Sequence, residues 1–265
     1  TLTFSGGSLD PGTSCTFSVT LQVPASATPG SYTNTTSSLS GVLGGIPVTE
    51  NPATASLTVE PPPAFSKVFA PDTIANGGIS TLTFTIDNTA SALAATGLDF
   101  TDYLPAGVVV ADPPNISTTC TGGTLTAVAG SSTITYASGG SVPAGASCTI
   151  QVDVTSNTLG VHQNITSVLT SSSGNSGHAM ADLTVRQGYA VTYDGNCNTG
   201  GTAPAAQVKI ESVNLTLATN TGGLARTGHT FTGWNTAADG FGTHYDEGAT
   251  YTTNAALALY AEWTP

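Results

Sequence analysis

The chain has 265 residues, of which 4 are Lys or Arg and 16 are Asp or Glu, so its formal net charge is −12. A surface with so few cations cannot neutralise phosphate groups, so nucleic acid is excluded as a natural partner and an anionic membrane would repel the chain. No apolar run approaches the roughly 18 residues that span a bilayer, so no membrane insertion is expected in this segment. Whatever exports or anchors the protein is expected to lie outside it.

The first feature along the chain is a sequence pattern that occurs twice, each time as the C-terminal half of a predicted module. Residues 1–21 run parallel to residues 133–154, and each run leads to a glycine, an Asn-x-Thr at Asn34 or Asn164, and a closing strand. Self-similarity over such a length indicates whole domains in tandem. Residues 1–60 are therefore predicted to be the C-terminal half of a sandwich module, and the chain to be a piece of a longer array.

A proline run then separates two segments of the chain. Residues 61–63 are all proline, which cannot continue a sheet ladder and favours a stiff linker. Beyond it the apolar residues alternate, with Leu82, Phe84 and Ile86 on one side of a predicted strand. Turn signals recur every eight to twelve residues or so, and no stretch has a helical period. The predicted architecture is an antiparallel all-β sandwich.

The segment 64–186 reads as one complete module, and its motifs resemble a family of bacterial surface repeats. These motifs are Phe65-Ser-Lys-Val-Phe-Ala-Pro-Asp-Thr-Ile, Ser80-Thr-Leu-Thr-Phe-Thr-Ile-Asp-Asn, Asp99-Phe-Thr-Asp-Tyr-Leu-Pro-Ala-Gly-Val and the pair Cys120 and Cys148. Together they are similar to the immunoglobulin-like (Ig-like) repeats of the DUF11 type. The resemblance implies tandem Ig-like sandwiches in a secreted bacterial protein, and it supplies no catalytic site.

The last segment, 187–265, resembles a different family over residues 189–264. Tyr193-Asp-Gly-Asn-Cys-Asn-Thr-Gly-Gly, the stretch from Arg226 to Tyr245 and Leu259-Tyr-Ala-Glu-Trp263 are similar to the InlB B-repeat, or Listeria-Bacteroides repeat. That resemblance implies a small β-grasp-like module of cell-surface proteins. Aromatic residues are too numerous for its surface, so most should form its core: Phe231, Trp234, Tyr251, Tyr260 and Trp263. Cys197 stands where the repeat ordinarily has glycine.

The four cysteines predict one disulfide and two thiols of uncertain partner. Cys120 and Cys148 flank one strand-turn-strand unit and are predicted to form a disulfide, the alternative being two buried thiols. Cys15 aligns with Cys148, so its natural partner would lie in the other half of its own module. Cys197 is then the odd cysteine, either a free thiol or an intermolecular partner of Cys15.

Candidate sites for metals and acid–base chemistry are weak. Asp239, Asp246 and Glu247 share a turn-rich loop but lack the order of a calcium loop, so solvated turn residues are expected. Asp99 and Asp102 could suggest an acid–base pair, but they are expected in a structural turn. The histidines lack zinc-ligand spacing and are expected at the surface: His162, His178, His229 and His244. No cofactor and no metal is predicted.

Two kinds of covalent modification remain open. Phe65, Lys67 and Phe69 share one strand face, so the Lys67 stem could be buried and, as in some other surface adhesins, joined to an asparagine by an isopeptide bond. The expected alternative is a lysine that lies along apolar surface with its amine in water. Four Asn-x-Ser/Thr sequences are candidate glycan sites: Asn34, Asn115, Asn164 and Asn214.

These observations predict a non-enzymatic, extracellular structural or adhesin-like protein, a stalk of tandem modules on the cell surface. Its expected partners are neighbouring modules or copies of itself, with cell-surface glycans as a further candidate. One alternative is a filament subunit that assembles by strand exchange, because a module without its first strands leaves open sheet edges. Another is a carbohydrate-binding module that uses Tyr245, Trp234 or Tyr251 as stacking platforms, which would require an exposed aromatic row.

Overall fold

A computed structural model describes residues 1–24 and 27–265, and within these ranges every regular element is a β-strand. The chain forms two compact units, Thr1–Val59 and Glu60–Pro265. The tandem all-β architecture, predicted from the self-similarity of the chain and the alternation of its apolar residues, is confirmed. Within the described residues, no helix is long and apolar enough to cross a membrane.

The first unit contains two strand pairs. Its strands are β1 (Gly30–Thr35), β2 (Leu39–Leu43), β3 (Ile46–Glu50) and β4 (Thr54–Val59). β1 pairs antiparallel with β4, and β2 pairs antiparallel with β3. Large apolar side chains of this unit are exposed, among them Leu2, Phe4 and Phe17. The described part of residues 1–59 therefore has no buried apolar core.

Residues 1–21 differ from their counterparts in the second unit. Residues 133–154 form long strands, whereas the structure gives residues 1–24 no strand. The reason is pairing, because a strand requires a hydrogen-bonded neighbour. The second unit supplies such neighbours, and the described part of the first unit does not. A similar sequence pattern thus has two different structural outcomes in one chain.

The second unit begins with a sandwich of thirteen strands. They are β5 (Ala64–Ala70), β6 (Thr73–Ala75), β7 (Ile79–Asp87), β8 (Ala95–Tyr103), β9 (Val108–Val110), β10 (Ser117–Thr118), β11 (Thr124–Ala127), β12 (Thr133–Val142), β13 (Ser147–Ser156), β14 (Gly160–Ile165), β15 (Thr170–Ser171), β16 (Gly174–Asn175) and β17 (Met180–Arg186). No strand lies between Val59 and Ala64, where the prolines stand.

Three sheets build this sandwich. One has the order β10-β13-β7-β5 with β9 also paired to β13, the second has the order β11-β12-β8-β15-β16, and the third has the order β14-β17-β6. All pairs are antiparallel except β17 with β6. The predicted inward faces are confirmed, because Leu82, Phe84 and Ile86 are fully buried in the core with Phe100 and Tyr136.

The C-terminal part of this unit is a small mixed sheet. Its strands are β18 (Gly188–Asp194), β19 (Gln207–Ile210), β20 (Leu215–Thr216), β21 (Thr230–Asn235), β22 (His244–Tyr245), β23 (Thr250–Tyr251) and β24 (Leu257–Thr264). The sheet order is β19-β18-β24-β21-β22, with β18 and β24 parallel, and β20 pairs separately with β23. Trp234 is fully buried and its ring lies edge-on to Tyr193 and Phe231.

Candidate functional site

Three polar side chains from three strands meet inside the sandwich of residues 64–186. The alternation of each strand explains their burial. On β5 the inward positions are Phe65, Lys67 and Phe69, on β8 Asp102 follows the buried Phe100, and on β14 Asn164 is inward. The side chains of Lys67 and Asp102 are 0% exposed, and Asn164 is also 0% exposed. We call Lys67, Asp102 and Asn164 the buried triad.

The carboxylate of Asp102 connects the other two members of the buried triad. The Lys67 amine Nζ donates to Asp102 Oδ1 at 2.9 Å. The Asn164 amide Nδ2 donates to Asp102 Oδ2 at 2.7 Å. The amine and the amide therefore occupy the two oxygens of one carboxylate. Asn164 Oδ1, in contrast, is buried without a hydrogen-bond partner.

Aromatic rings make the surroundings of the triad apolar. Lys67 Nζ lies 5.8 Å from the centroid of the Phe84 ring, and the Phe100 ring packs 4.9 Å from both Phe65 and Phe84. Burial lowers the pKa of the Lys67 amine, and the charge and hydrogen bond of Asp102 only partly oppose this effect. The Lys67 amine therefore loses its proton more easily than the amine of an exposed lysine.

Such a triad is costly unless all its members remain paired. Removal of one partner from a buried ion pair typically destabilises a protein by about 3–5 kcal/mol, because the remaining charge is left in an apolar interior. The unpartnered Asn164 Oδ1 adds a further cost, of the order of 1–3 kcal/mol for a buried polar group. Asn164 Oδ1 is therefore an atom of the triad whose burial no hydrogen bond compensates.

Two sequence-based expectations about this region are wrong. Lys67 does not extend along the surface into water, because its β-sheet position directs the amine to the buried Asp102. Asp99 and Asp102 do not lie in a turn but on strand β8, where Asp99 is exposed and Asp102 is buried. Residues three apart on a strand face opposite sides, so the two carboxylates do not form a pair.

The cysteines lie as follows. The structure joins Cys120 and Cys148 by a disulfide with a sulfur–sulfur distance of 2.04 Å, beside the core of the sandwich. Cys15 and Cys197 are exposed and free. Cys197 has a φ of 62°, in the left-handed region that favours glycine. This backbone conformation gives a physical reason why a glycine would suit this position.

The four candidate glycan sites differ in exposure. Asn34, Asn115 and Asn214 are exposed. Asn164 is buried against Asp102 and offers no surface to a glycosylating enzyme, so this candidate is withdrawn. The sequence pattern misassigned it because Asn-x-Thr carries no information about the direction of the side chain. The other three remain predictions.

The acidic loop residues have separate hydrogen-bond roles. Asp239 accepts from the backbone N–H of Phe241, and Glu247 accepts from that of Asn220. Asp246 lies 3.2 Å from His244. Among residues 1–24 and 27–265, no group of three or more His, Cys, Asp or Glu is arranged to hold a metal ion.

The histidines are only partly where they were expected. His178, His229 and His244 are exposed. His162 is buried on β14, where its Nε2 lies 2.7 Å from the carbonyl oxygen of Thr158, so the expectation of a surface histidine was wrong there. His162 and Asn164 share the inward face of β14, which the Asn-x-Thr motif alone did not indicate.

The proposed sugar-stacking residues do not form an exposed aromatic row. Trp234 is fully buried and its indole N–H donates to the carbonyl of Ala218 at 2.8 Å. Tyr251 is also buried, and Tyr245 is half-buried against it. The prediction that aromatic residues form the core of this module is confirmed for Trp234 and Tyr251, while Phe231 and Trp263 pack partly buried around them. These residues therefore do not support a carbohydrate-binding platform.

The second lysine offers an informative contrast with the buried triad. Lys209 is also fully buried, and its Nζ donates to Asn254 Oδ1 at 2.9 Å and to the carbonyl of Ile210 at 2.8 Å. No carboxylate accepts a hydrogen bond from this amine in the described structure. Both buried lysines thus lie near an asparagine, but Asn254 is exposed whereas Asn164 is buried, and only in the sandwich does a carboxylate lie between the two side chains.

The sequence contains a signal for two members of the buried triad. Leu98, Phe100 and Asp102 are inward positions in period two, so an acid stands on the apolar face of a strand. An acid at such a position requires a buried partner. The chain has few cations to provide one, and Lys67 shares a strand face with Phe65 and Phe69. Asn164 remained hidden because its sequence motif suggested the surface.

The fold and the triad define a class of tandem β-sandwich proteins with a polar cluster in the core of a sandwich. The chain belongs to the family described as a domain of unknown function, DUF7933, whose profile matches residues 1–59 and 63–185. The family is therefore DUF7933 rather than the DUF11 type that the motifs resemble. Residues 189–262 match the Listeria-Bacteroides repeat domain, which confirms the second resemblance.

Similar proteins and folds are as follows. Over 76 residues the chain is 41% identical to a candidate membrane protein of Evansella cellulosilytica and 36% identical to a second, Gly-rich one. These alignments cover 28% of this chain and only 11% and 9% of those proteins.

Three solved bacterial structures have partial similarity to this chain. A cohesin module of a Clostridium perfringens family 33 glycoside hydrolase has a TM-score of 0.35 and 9% identity, covering 48% of this chain and 98% of its own. The collagen-binding domain of a Staphylococcus aureus adhesin has a TM-score of 0.34 and 12% identity, and the match covers 46% of this chain and 96% of that domain. The major pilin subunit BcpA of Bacillus cereus has a TM-score of 0.34 and 11% identity, and the match covers 85% of this chain and 77% of the pilin chain.

Proposed function

We propose that this chain is a non-enzymatic structural segment of an extracellular, adhesin-like protein, in which tandem modules form a stalk at the cell surface. The observation that carries the proposal is the direct connection between the sandwich and the C-terminal sheet. Strand β17 ends at Arg186 and β18 begins at Gly188, so one residue separates two folded parts. A stalk requires this kind of short connection, because a flexible linker would not hold consecutive modules at a fixed distance from each other.

Hydrogen bonds fix this connection on both sides. The Asn76 backbone N–H donates to the Arg186 carbonyl at 2.8 Å, and the Gly188 N–H donates to Asn76 Oδ1 at 2.9 Å. The Arg186 guanidinium donates to the Glu211 carbonyl, and the Glu211 N–H donates to the carbonyl of Gln187. The turn after β6 is thereby tied to the first strand of the C-terminal sheet.

This arrangement supports a modular division of the chain. We propose a C-terminal half of an Ig-like module at 1–60, a proline linker at 61–63, a complete sandwich at 64–186 and a β-grasp-like module at 187–265. The match to the Listeria-Bacteroides repeat supports a surface location, because the resemblance implies a module of cell-surface proteins. The net charge of −12 favours solubility and disfavours association with anionic polymers.

A distance measurement tests the rigid connection. Spin labels on Ser117→Cys and Asp239→Cys, with Cys15 and Cys197 replaced by serine, report the separation of the sandwich and the C-terminal sheet. Double electron–electron resonance should give a narrow distribution, and insertion of three glycines after Gln187 should broaden it. An equally broad distribution without the insertion would contradict a stalk. Antibody labelling of intact source cells independently tests the surface location.

One alternative, a filament subunit that assembles by strand exchange, has a specific observation in its favour. The described part of residues 1–59 exposes large apolar side chains, including Phe4, Phe17 and Leu21, and an exposed free thiol at Cys15. An incoming strand could cover such a surface. Electrophoresis of native material without reducing agent separates the proposals. A ladder that collapses on reduction supports the filament, and one species with or without reductant supports the stalk.

A further inference from the structure

The buried triad contains the three groups that a self-joining reaction between side chains requires. Lys67 provides an amine nucleophile, Asn164 provides an amide carbonyl carbon with a nitrogen leaving group, and Asp102 provides an acid that contacts both. We propose that Lys67 and Asn164 become joined by an intramolecular isopeptide bond, in a single-turnover reaction that the Asp102 carboxyl group promotes.

Burial prepares the amine for attack. An ammonium group is not a nucleophile, so one proton must first leave Lys67. Asp102 Oδ1 lies 2.9 Å from Nζ and can accept that proton directly. The apolar surroundings of Phe65, Phe84 and Phe100 disfavour the ammonium form of Lys67, because a charged amine loses its hydration there.

The steps balance without any further reactant. The neutral Lys67 Nζ attacks Asn164 Cγ, and the Nζ–Cγ bond forms as the carbonyl electron pair moves to Oδ1. Asp102 takes a proton from the attacking nitrogen and delivers one to Nδ2. The Cγ–Nδ2 bond then breaks, the carbonyl re-forms and ammonia departs. No oxidant or reductant is involved, and the carboxyl group of Asp102 ends in its starting protonation state.

The unpartnered oxygen of Asn164 has a role in this reaction. Asn164 Oδ1 is buried without a hydrogen-bond partner, while Nδ2 faces the carboxylate. Oxygen and nitrogen of a side-chain amide occupy nearly the same space, so a half-turn of the amide directs Oδ1 to Asp102. A protonated Asp102 then donates to Oδ1 and stabilises the negative charge that develops on it. During the reaction, Asn164 Oδ1 thus gains the hydrogen bond that it lacks in the folded triad.

The second buried lysine serves as an internal control. Lys209 contacts Asn254, but the amine has no carboxylate acceptor to take its proton. The same physical argument therefore assigns no bond to this pair. Asn34 is a second control, because it occupies the position of Asn164 in the repeated sequence but is exposed on β1.

Mass spectrometry of the reduced and denatured 265-residue chain tests the proposal. Formation of the bond releases ammonia, so the intact mass should fall about 17 Da below the sequence mass. Lys67→Met, Asp102→Asn and Asn164→Ala should each restore the full mass, and Asn34→Ala should leave the loss in place. A wild-type chain at full sequence mass, after folding is verified by circular dichroism, would overturn the proposal.

A tryptic digest of the denatured wild-type chain gives an answer that needs no variant to fold. Trypsin requires a free lysine amine, so cleavage should occur after Lys209, Arg186 and Arg226 but not after Lys67. Residues 1–186 should then remain in one piece, with a fragment spectrum that places the loss of ammonia on the Lys67–Asn164 pair. Efficient cleavage after Lys67, yielding separate 1–67 and 68–186 peptides, would refute the bond.

Discussion

A covalent bond between Lys67 and Asn164 would change how the sandwich responds to a pulling force. Lys67 lies near the start of the module and Asn164 near its end, so the chain between them would be shielded from tension. About 97 residues at roughly 3.4 Å each give about 330 Å of length that the wild-type module cannot release. Only its two short ends, about 25 residues, would extend, by less than about 100 Å.

Optical tweezers measure this length directly. The reduced chain, tethered at both ends, should show a short extension for the sandwich, whereas Lys67→Met should show an extension longer by about 330 Å. Reduction is necessary because the disulfide between Cys120 and Cys148 lies within the shielded segment. A wild-type module that unfolds to its full length would refute the reasoning, whether or not the variant folds.

Three further predictions concern the disulfide and the C-terminal sheet. The double variant Cys120→Ser and Cys148→Ser should lose about 3.5 kcal/mol of stability, read from the thermal melt by circular dichroism, and an unchanged melt would contradict this. Cys197→Gly should raise the free energy of unfolding, obtained from the urea transition of Trp fluorescence, by about 1 kcal/mol, because it relieves a positive φ; a lower free energy of unfolding would contradict this. The hydrogen bond between His244 and Glu262 raises the pKa of His244 and lowers the pKa of Glu262. Its stabilisation should be fully present between about pH 4.3 and pH 6.5, and be lost as pH rises through the histidine pKa or falls through that of Glu262. His244→Asn should remove this pH-dependent part of the stability, which amounts to less than about 1 kcal/mol because both groups are partly exposed. An unchanged dependence of stability on pH would refute the assignment.

Much of the fold could be predicted from the sequence because its signals are local. The alternation of Leu82, Phe84 and Ile86 fixes which face of β7 is buried, whatever strand lies beside it. Residues 1–21 show the limit of this reasoning. They have a pattern similar to that of residues 133–154 but form no strand, because alternation does not provide a hydrogen-bonded neighbour.

The candidate site could be predicted only in part, because its contacts are distant in sequence. The positions of Phe65 and Phe69 indicate that the stem of Lys67 can be buried. Asp102 and Asn164 lie on other strands, and their meeting depends on how three sheets pack. Alternation indicates that a side chain faces the interior, but it does not indicate which side chain it meets there. The triad therefore became visible only when the strands were placed in space.

The burial of both lysines has a consequence for the surface chemistry of the molecule. Lys67 and Lys209 are the two lysines of the chain, and neither amine is exposed in the described structure. Reducing sugars, aldehydes and activated esters react with accessible amines, so glycation, fixation and dye coupling should find no lysine target on the folded second unit. In an environment rich in carbonyl compounds, the folded second unit would therefore not acquire the lysine adducts that accumulate on proteins with exposed lysines.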